Sequence, residues 1–445
     1  MPKGGDLHHH YSGSVYTETY IDRVTKNDYF LNKKLLLVSK DTVKEAVYKT
    51  GYVRFSSLRT NQYDSTAYYQ QQLIQRWSVK DYNGVSYPSD QQFFETFTYF
   101  DVAAADSVKQ GLVELKGRAL AENLSYIETM LMLIPYSVDT AKKQKDLAKY
   151  NELLLGAQQA RNEQVTQTLL QYIHEWYQQN GMKNAAAAHN SIVSNMHRDA
   201  HIDDAKFTMR YQNFVVRVVD PLDVFQSLLV CFESASTSPL IVGVNIVAPE
   251  NNPVSMRDYW LHMQMYKFCK ARYPGVKYSM HAGELVSGMV QPEELTWHIT
   301  EAVHTAGASR IGHGVDLPYE RNNYDLLRHM ADKKIPVEIN LNSNEFILKV
   351  KDDAHPITLY KDFGVPIVIS TDDAGVLRSS ITDQYVLLAK RYYDISYRDL
   401  KQFVYNSIGY SFIEEPAVKE KLLSDLDRRF EIFEEIVRAV AGEDK

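Results

Sequence analysis

The sequence predicts an α/β fold, a (β/α)8 barrel. Three observations carry that prediction: short apolar runs bounded by turn residues recur through the chain, helical patterns separate them, and the strand-like runs close at a count of eight. The runs are "GDLHHHYSG" (5–13), "LSYIETMLML" (124–133), "NFVVRVVD" (213–220), "LIVGVNIVA" (240–248), "VKYSMHAGE" (276–284), "SRIGHGVDL" (309–317), "PVEINLNSN" (336–344) and "PIVISTDDA" (366–374). The last six are β-branched or apolar without clean alternation, as parallel strands covered on both faces should be. The class is a TIM-type barrel.

Helical patterns fill the gaps at 255–273, at 292–306 with Pro292 where a helix would start, at 322–333 and at 355–363. The two longest connections, about 14–123 and 134–212, precede strands two and three and are expected as helical insertions. The first carries Pro88 and "QFFETFTYF" (92–100), and the second a long polar helical stretch at 141–181. On a barrel, such βα connections lie over the C-terminal mouth, where active sites are built. They offer either a homodimer surface or a lid, and the sequence does not separate the two. Residues 381–440 read as amphipathic closing helices. Without an internal repeat or a linker, residues 1–445 are expected to form one barrel domain.

Composition narrows the function classes. The chain has 445 residues, a net charge of −7 and no basic face beyond short clusters such as Lys142, Lys143 and Lys145, which excludes nucleic acid as a main partner. No run approaches the ~18 apolar residues of a membrane span. Two cysteines, Cys231 and Cys269, make no disulfide framework. No signal peptide follows Met1, yet the first strand begins almost at once. That opening predicts that an upstream segment has been removed, which would make the protein secreted or periplasmic; otherwise it is cytoplasmic. The 31 tyrosines predict a tyrosine-rich surface and half-buried helix faces.

Residues two apart on a strand share a face, so His8 and His10 point together and His9 points away, towards the surrounding helices. Two imidazoles so placed chelate a first-row metal. Three other strands end in matching chemistry: His281 and Glu284 in "MHAGE", His313 in "GHG", and Asp372 and Asp373 in "STDDAG". Each alone is an ordinary capping acid or core histidine. Together, at the C-terminal ends of four strands, they predict a site. His8, His10 and His281 supply nitrogen and one of the aspartates supplies oxygen, a set suited to zinc with room for a water. Glu284 and His313 are left as acid/base groups, which fits hydrolytic attack with protonation of the attacked group.

The motifs "MPKGGDLHHHYSGS", "MHAGE", "RIGHG" and "STDD", in that order, resemble the adenosine deaminase family of the amidohydrolase superfamily, most closely its growth-factor-like branch. The resemblance implies one zinc ion per chain on His8, His10, His281 and Asp372. It implies that Glu284 protonates the purine N1 while water attacks C6, that His313 orients and deprotonates that water, and that Asp373 hydrogen-bonds N7. The implied reaction converts adenosine, or a close 6-aminopurine nucleoside, to an inosine-type product and ammonia.

The sequence also departs from the family pattern. Ser12 stands where many relatives place a ribose-binding aspartate, Ala248 where they place a glycine whose N–H approaches the purine, and Ala374 where a proline often follows the aspartates. Phe93, Phe94 and Phe97 fall where relatives place an apolar helix over the nucleoside, a position that ordinary helix packing explains equally well. "HEWYQ" (174–178) lacks the second histidine of a zincin, and no P-C-x-x-C, P-loop or G-x-S-x-G pattern occurs. The alternatives are a related amidohydrolase acting on a modified adenosine or AMP, and a non-catalytic nucleoside-binding or signalling protein.

Overall fold

Eight parallel strands form one sheet in chain order: β1 (Gly4–His10), β2 (Leu124–Met130), β3 (Thr208–Val216), β4 (Ile241–Val247), β5 (Lys277–Ala282), β6 (Arg310–His313), β7 (Val337–Ile339) and β8 (Ile367–Ile369). The computed structural model describes residues 1–40, 51–59, 64–85, 87–106, 108–138 and 141–443; the side chains of Lys142 and Lys143 lie outside that description. The sheet closes into the predicted barrel between β8 and β1. There the Asp372 N–H donates to the His8 carbonyl at 2.9 Å, and the His10 N–H donates to the Asp372 carbonyl at 3.2 Å. Side chains stitch the same seam: Ser370 Oγ accepts from the His8 N–H at 3.2 Å, and Thr371 Oγ1 donates to Asp6 Oδ2 at 2.6 Å.

The register of β1 on β2 is broken at one point. Asp6 and His9, three residues apart, pair with Ile127 and Thr129, which are two apart. A bulge of this kind re-aims the side chains around it. Asp6 and His9 both face an outer crevice lined by Leu115 and Arg118 of the helix Val108–Ala121, while His8 and His10 converge on the interior.

The helices pack outside the strands. Pro253–Arg272 starts with a proline in its first turn and an Asn252 side chain accepting from the Val254 N–H at 2.9 Å. It buries Leu261, Met263, Met265, Tyr266 and Phe268, so it is covered on most sides rather than amphipathic. Each fully buried large side chain of this kind is worth about 1.5–3 kcal/mol. No helix among the described residues is long and apolar enough to cross a membrane.

Several boundaries differ from the sequence reading. β3 starts at Thr208, ahead of the apolar run at 213, because the buried Arg210 and Gln212 find polar partners there: Arg210 pairs with Asp203 at 2.8 Å and Gln212 with the buried Glu128 at 3.0 Å. The second insertion is correspondingly shorter than 134–212. β6 to β8 are only three or four residues long, and "LNSNEFIL" is the helix Leu341–Leu348 rather than strand. The first insertion contains a small antiparallel sheet of Phe30–Asn32, Val38–Ser39 and Tyr52–Arg54, whose two- and three-residue strands show no period in sequence. Many tyrosines are core rather than surface; Tyr126, Tyr211, Tyr259, Tyr266, Tyr278 and Tyr360 are fully buried.

Candidate active site

At the C-terminal mouth lies a cavity of about 260 Å³. It is lined by His10, Ser12, Phe93, Phe94, Phe97, Ala248, His281, Glu284, His313, Asp372 and Asp373, together with Phe214, Val216, Val247 and Pro249. His8 lies just beneath. The structure therefore brings together every site residue expected from sequence. A larger groove of about 930 Å³ runs alongside, lined by Leu285, Val315 and Ile347 among others, but none of the converging histidines or aspartates enters it. The converging histidines and carboxylates lie at the smaller cavity.

Four ligand-type atoms converge. His8 Nε2 and His10 Nε2 lie 3.0 and 3.1 Å from His281 Nε2, and 3.5 and 3.3 Å from Asp372 Oδ1. A tetrahedron with metal–ligand bonds of about 2.0–2.1 Å has edges of about 3.3–3.4 Å, close to these separations. The protonation pattern tests the fit further. His8 Nδ1 donates to Glu338 Oε2 at 2.7 Å and His281 Nδ1 to Asn245 Oδ1 at 2.9 Å. Burial holds the His281 ring neutral, so with its proton on Nδ1 its Nε2 lone pair faces the cluster; burial also lowers His8, but Asp372 and Glu338 outweigh it and raise that ring to about 10, so the cluster favours positive charge. Such a donor set suits a cation. Burial holds His10 and His281 below the usual histidine range, in the neutral form a ligand needs.

Beneath the cluster lies a buried ionic chain that sequence reasoning missed. Burial raises the Glu338 carboxyl, but Arg310 and His8 outweigh burial and bring it down to about 2. Arg310 Nε donates to Glu338 at 2.5 Å and its Nη2 to Glu128 at 2.5 Å, with the guanidinium 3.5 Å from the centroid of the Phe412 ring. Glu128 also accepts from the Tyr126 hydroxyl at 2.9 Å and from the Phe412 N–H at 2.9 Å. The available signal was a charge inside an otherwise apolar run, Glu338 in "PVEI" and Arg310 in "RIG". Arg217 was missed likewise; it is buried and donates to the Ala248 carbonyl at 2.7 Å and the His281 carbonyl at 3.0 Å, tying three strand ends together.

The acid/base groups sit around the ligands. Burial, aided by Asp372, pushes the Glu284 carboxyl up to about 8, so it is largely protonated at neutral pH. Burial and the adjacent Asp372 likewise push Asp373 well above the carboxylate range, and its Oδ1 has no protein partner. Asp373 is pressed against Gly13, where a Cβ would overlap its carboxylate oxygen. Burial takes His313 down to about 3, leaving a neutral ring whose Nε2 is unpartnered. Ala248, His313 and Asp372 all have left-handed backbone, with φ of +84°, +69° and +64°. Strain in non-glycine residues, collected at one cavity, is a mark of functional sites.

The remaining expectations divide. Ser12 lines the cavity, and its carbonyl accepts from the Tyr20 hydroxyl at 2.8 Å. Phe93, Phe94 and Phe97, on the helix Ser89–Ala105, both pack on one another and wall the cavity, so the packing and pocket readings hold together. His9, expected to point towards the surrounding helices, is buried on that side, and its Nδ1 meets Thr129 Oγ1 at 2.9 Å. It takes no part in the ligand cluster but fills the outer layer of the fold.

Known proteins resemble this chain at several levels. The profile of the family described as adenosine deaminase matches residues 163–429. An adenosine deaminase of Clostridium acetobutylicum is 30% identical over 154 residues, covering 34% of this chain and 42% of that one. The chain spans about half the length of the curated relatives it matches. Among solved structures, an amidohydrolase from Burkholderia ambifaria with bound Zn has a TM-score of 0.56 at 16% identity, covering 99% of this chain and 93% of its own. An Arabidopsis N6-mAMP deaminase has a TM-score of 0.57 at 18% identity, covering 96% of this chain and 98% of its own. These structural likenesses establish the shared barrel.

Proposed function

The chain belongs to the adenosine deaminase family, and from that premise we propose that it hydrolytically deaminates adenosine or a close 6-aminopurine nucleoside, giving inosine-type product and ammonia. The observation that carries the reading is the convergence of His8, His10, His281 and Asp372 beside a protonated Glu284 in one apolar-walled cavity. We read residues 1–445 as one metal-dependent hydrolase domain holding one zinc ion on those four ligands, the metal named with the Burkholderia neighbour. A bound zinc ion would polarise a water and bring its pKa to about 7.

The side chains divide the remaining work. Glu284, protonated, is suited to deliver a proton to N1 as C6 becomes tetrahedral, so that charge pushed onto the ring is neutralised where it develops. Asp373, also held protonated, is suited to donate to N7, which is an acceptor. Ala248 offers its backbone N–H at the cavity wall, and Phe93, Phe94 and Phe97 cover the purine faces. A nucleotide fits less well: among the described lining residues there is no lysine or arginine to meet a 5′-phosphate.

The test is direct. Purified protein, loaded with zinc and assayed for metal, is offered adenosine, 2′-deoxyadenosine, AMP and 5′-methylthioadenosine while ammonia release is followed. The nucleosides are expected to turn over and AMP to lag behind them. A zinc-loaded protein inert towards all four would overturn the proposal.

A further inference from the structure

We infer that Asn344 and His355 are positioning residues that fix His313 with its proton on Nε2, so that the ring meets the reacting water as a hydrogen-bond donor and not as the base that deprotonates it. The inference rests on the deaminase reading above, and it departs from the role that the family resemblance gives His313.

The argument starts from a group whose direction cannot be reassigned. The Ile357 backbone N–H donates to His355 Nδ1 at 3.2 Å. That nitrogen therefore holds a lone pair. Burial, with Arg391 nearby, takes the His355 ring down to about 3, so it is neutral and its single proton sits on Nε2. His355 Nε2 lies 3.0 Å from Asn344 Oδ1 and donates to it. The Asn344 amide is thereby oriented with its NH2 towards His313 Nδ1, at 3.0 Å. A second amide, Asn340 Nδ2, approaches the same nitrogen at 3.5 Å. His313 Nδ1 is therefore an acceptor, and the proton of the neutral ring must sit on Nε2, the nitrogen that has no protein partner beside the cavity.

The opposite assignment fails. Turning the Asn344 amide over would set its NH2 against His355 Nε2. His355 would then need its proton on Nδ1, facing the Ile357 N–H, donor against donor. His313, Asn344 and His355 are at most 1% exposed, so solvent does not relieve that mismatch. With a hydrogen on Nε2 there is no lone pair there to take a proton from water. His313 can orient the nucleophile and stabilise its charge, and the water's proton leaves by solvent instead.

The experiment labels the protein with [15N]histidine and reads the ring nitrogens by two-bond correlation, as isolated and after zinc loading. His313→Gln serves to assign the signal. His313 should show a protonated Nε2 and a bare Nδ1. Asn344→Asp puts an acceptor where the amide donated, so the tautomer should switch to Nδ1–H, with kcat down about 100-fold or more and KM little changed. His355→Gln, which can still donate to Asn344, should keep the wild-type tautomer and most of the activity. A wild-type His313 carrying its proton on Nδ1, or an Asn344→Asp protein that keeps the wild-type tautomer in a folded state, overturns the inference. The tautomer is read without any substrate, so an inert substrate screen would refute the deaminase reading and leave this one measured on its own.

Discussion

Replacing Arg310 with methionine should separate the two things the buried ionic chain does. Arg310 is 1% exposed and lies 2.5 Å from both Glu128 and Glu338. Without it, the buried Glu128 and Glu338 both lose the guanidinium they share, and breaking a buried pair in this way costs about 3–5 kcal/mol. The wild-type Glu338 gives a similar figure. Its carboxyl is brought from 4.5 to about 2, which corresponds to a contribution on the order of 3 kcal/mol. The sign fixes the pH window. A depressed carboxyl stabilises the fold above its unfolded value, so this contribution is present above 4.5 and is lost as pH falls towards about 2. In Arg310→Met, burial instead raises Glu338. The variant is then least unfavourable in acid and weakens as pH rises through the new value, so the gap from wild type should be widest at neutral pH and narrow towards pH 4.5. A second effect follows. A protonated Glu338 presents O–H to His8 Nδ1, which drives the His8 proton onto Nε2 and removes a metal ligand. Urea unfolding at several pH values, with zinc content measured on the folded protein, reads both. A variant that loses under 1 kcal/mol at neutral pH and keeps full zinc would refute the reasoning.

Three further outcomes are expected. Asn245→Leu removes the acceptor that orients His281, and zinc affinity measured by competition with a chelator should fall about 10–100-fold while the fold persists. Glu284→Gln should keep zinc and lose turnover, and in the wild type the rate should decline as pH rises through about 8, where the raised Glu284 carboxyl gives up its proton. Ala248→Gly relieves a left-handed backbone at φ +84°, so it should raise the unfolding free energy by about 1 kcal/mol, checked by denaturant midpoint.

The eight strands were legible where both faces are apolar. β4 reads almost residue for residue, because Ile241–Val247 is buried along nearly its whole length and is apolar but for Asn245. β3 was clipped because Arg210 and Gln212 look like loop until their partners are known, and one of those partners, Glu415, lies 205 residues away. The same reason hid Glu128, Arg310 and Glu338. A buried charge is affordable only as part of a set, and the set is dispersed along the chain. The proposed ligands and Glu284 stood out because they cluster at strand ends in short motifs. The residues that orient them were not: Asn245, Asn344 and His355 are polar residues of ordinary type, and only the direction of each hydrogen bond gives them a role. The bulge at Asp6–His9 was invisible too, yet it left the pairing of His8 with His10 intact.

The seam between β1 and β8 joins the first and last strands of the barrel: Thr371 reaches Asp6 across 365 residues. A growing polypeptide has therefore emitted His8 and His10 long before Asp372 exists to meet them. These histidines wait, bare, through most of synthesis, and closure of the barrel is among the most non-local contacts the fold must make. Zinc bound there would hold first and last staves together, and by mass action its free concentration would set how often the cylinder springs open.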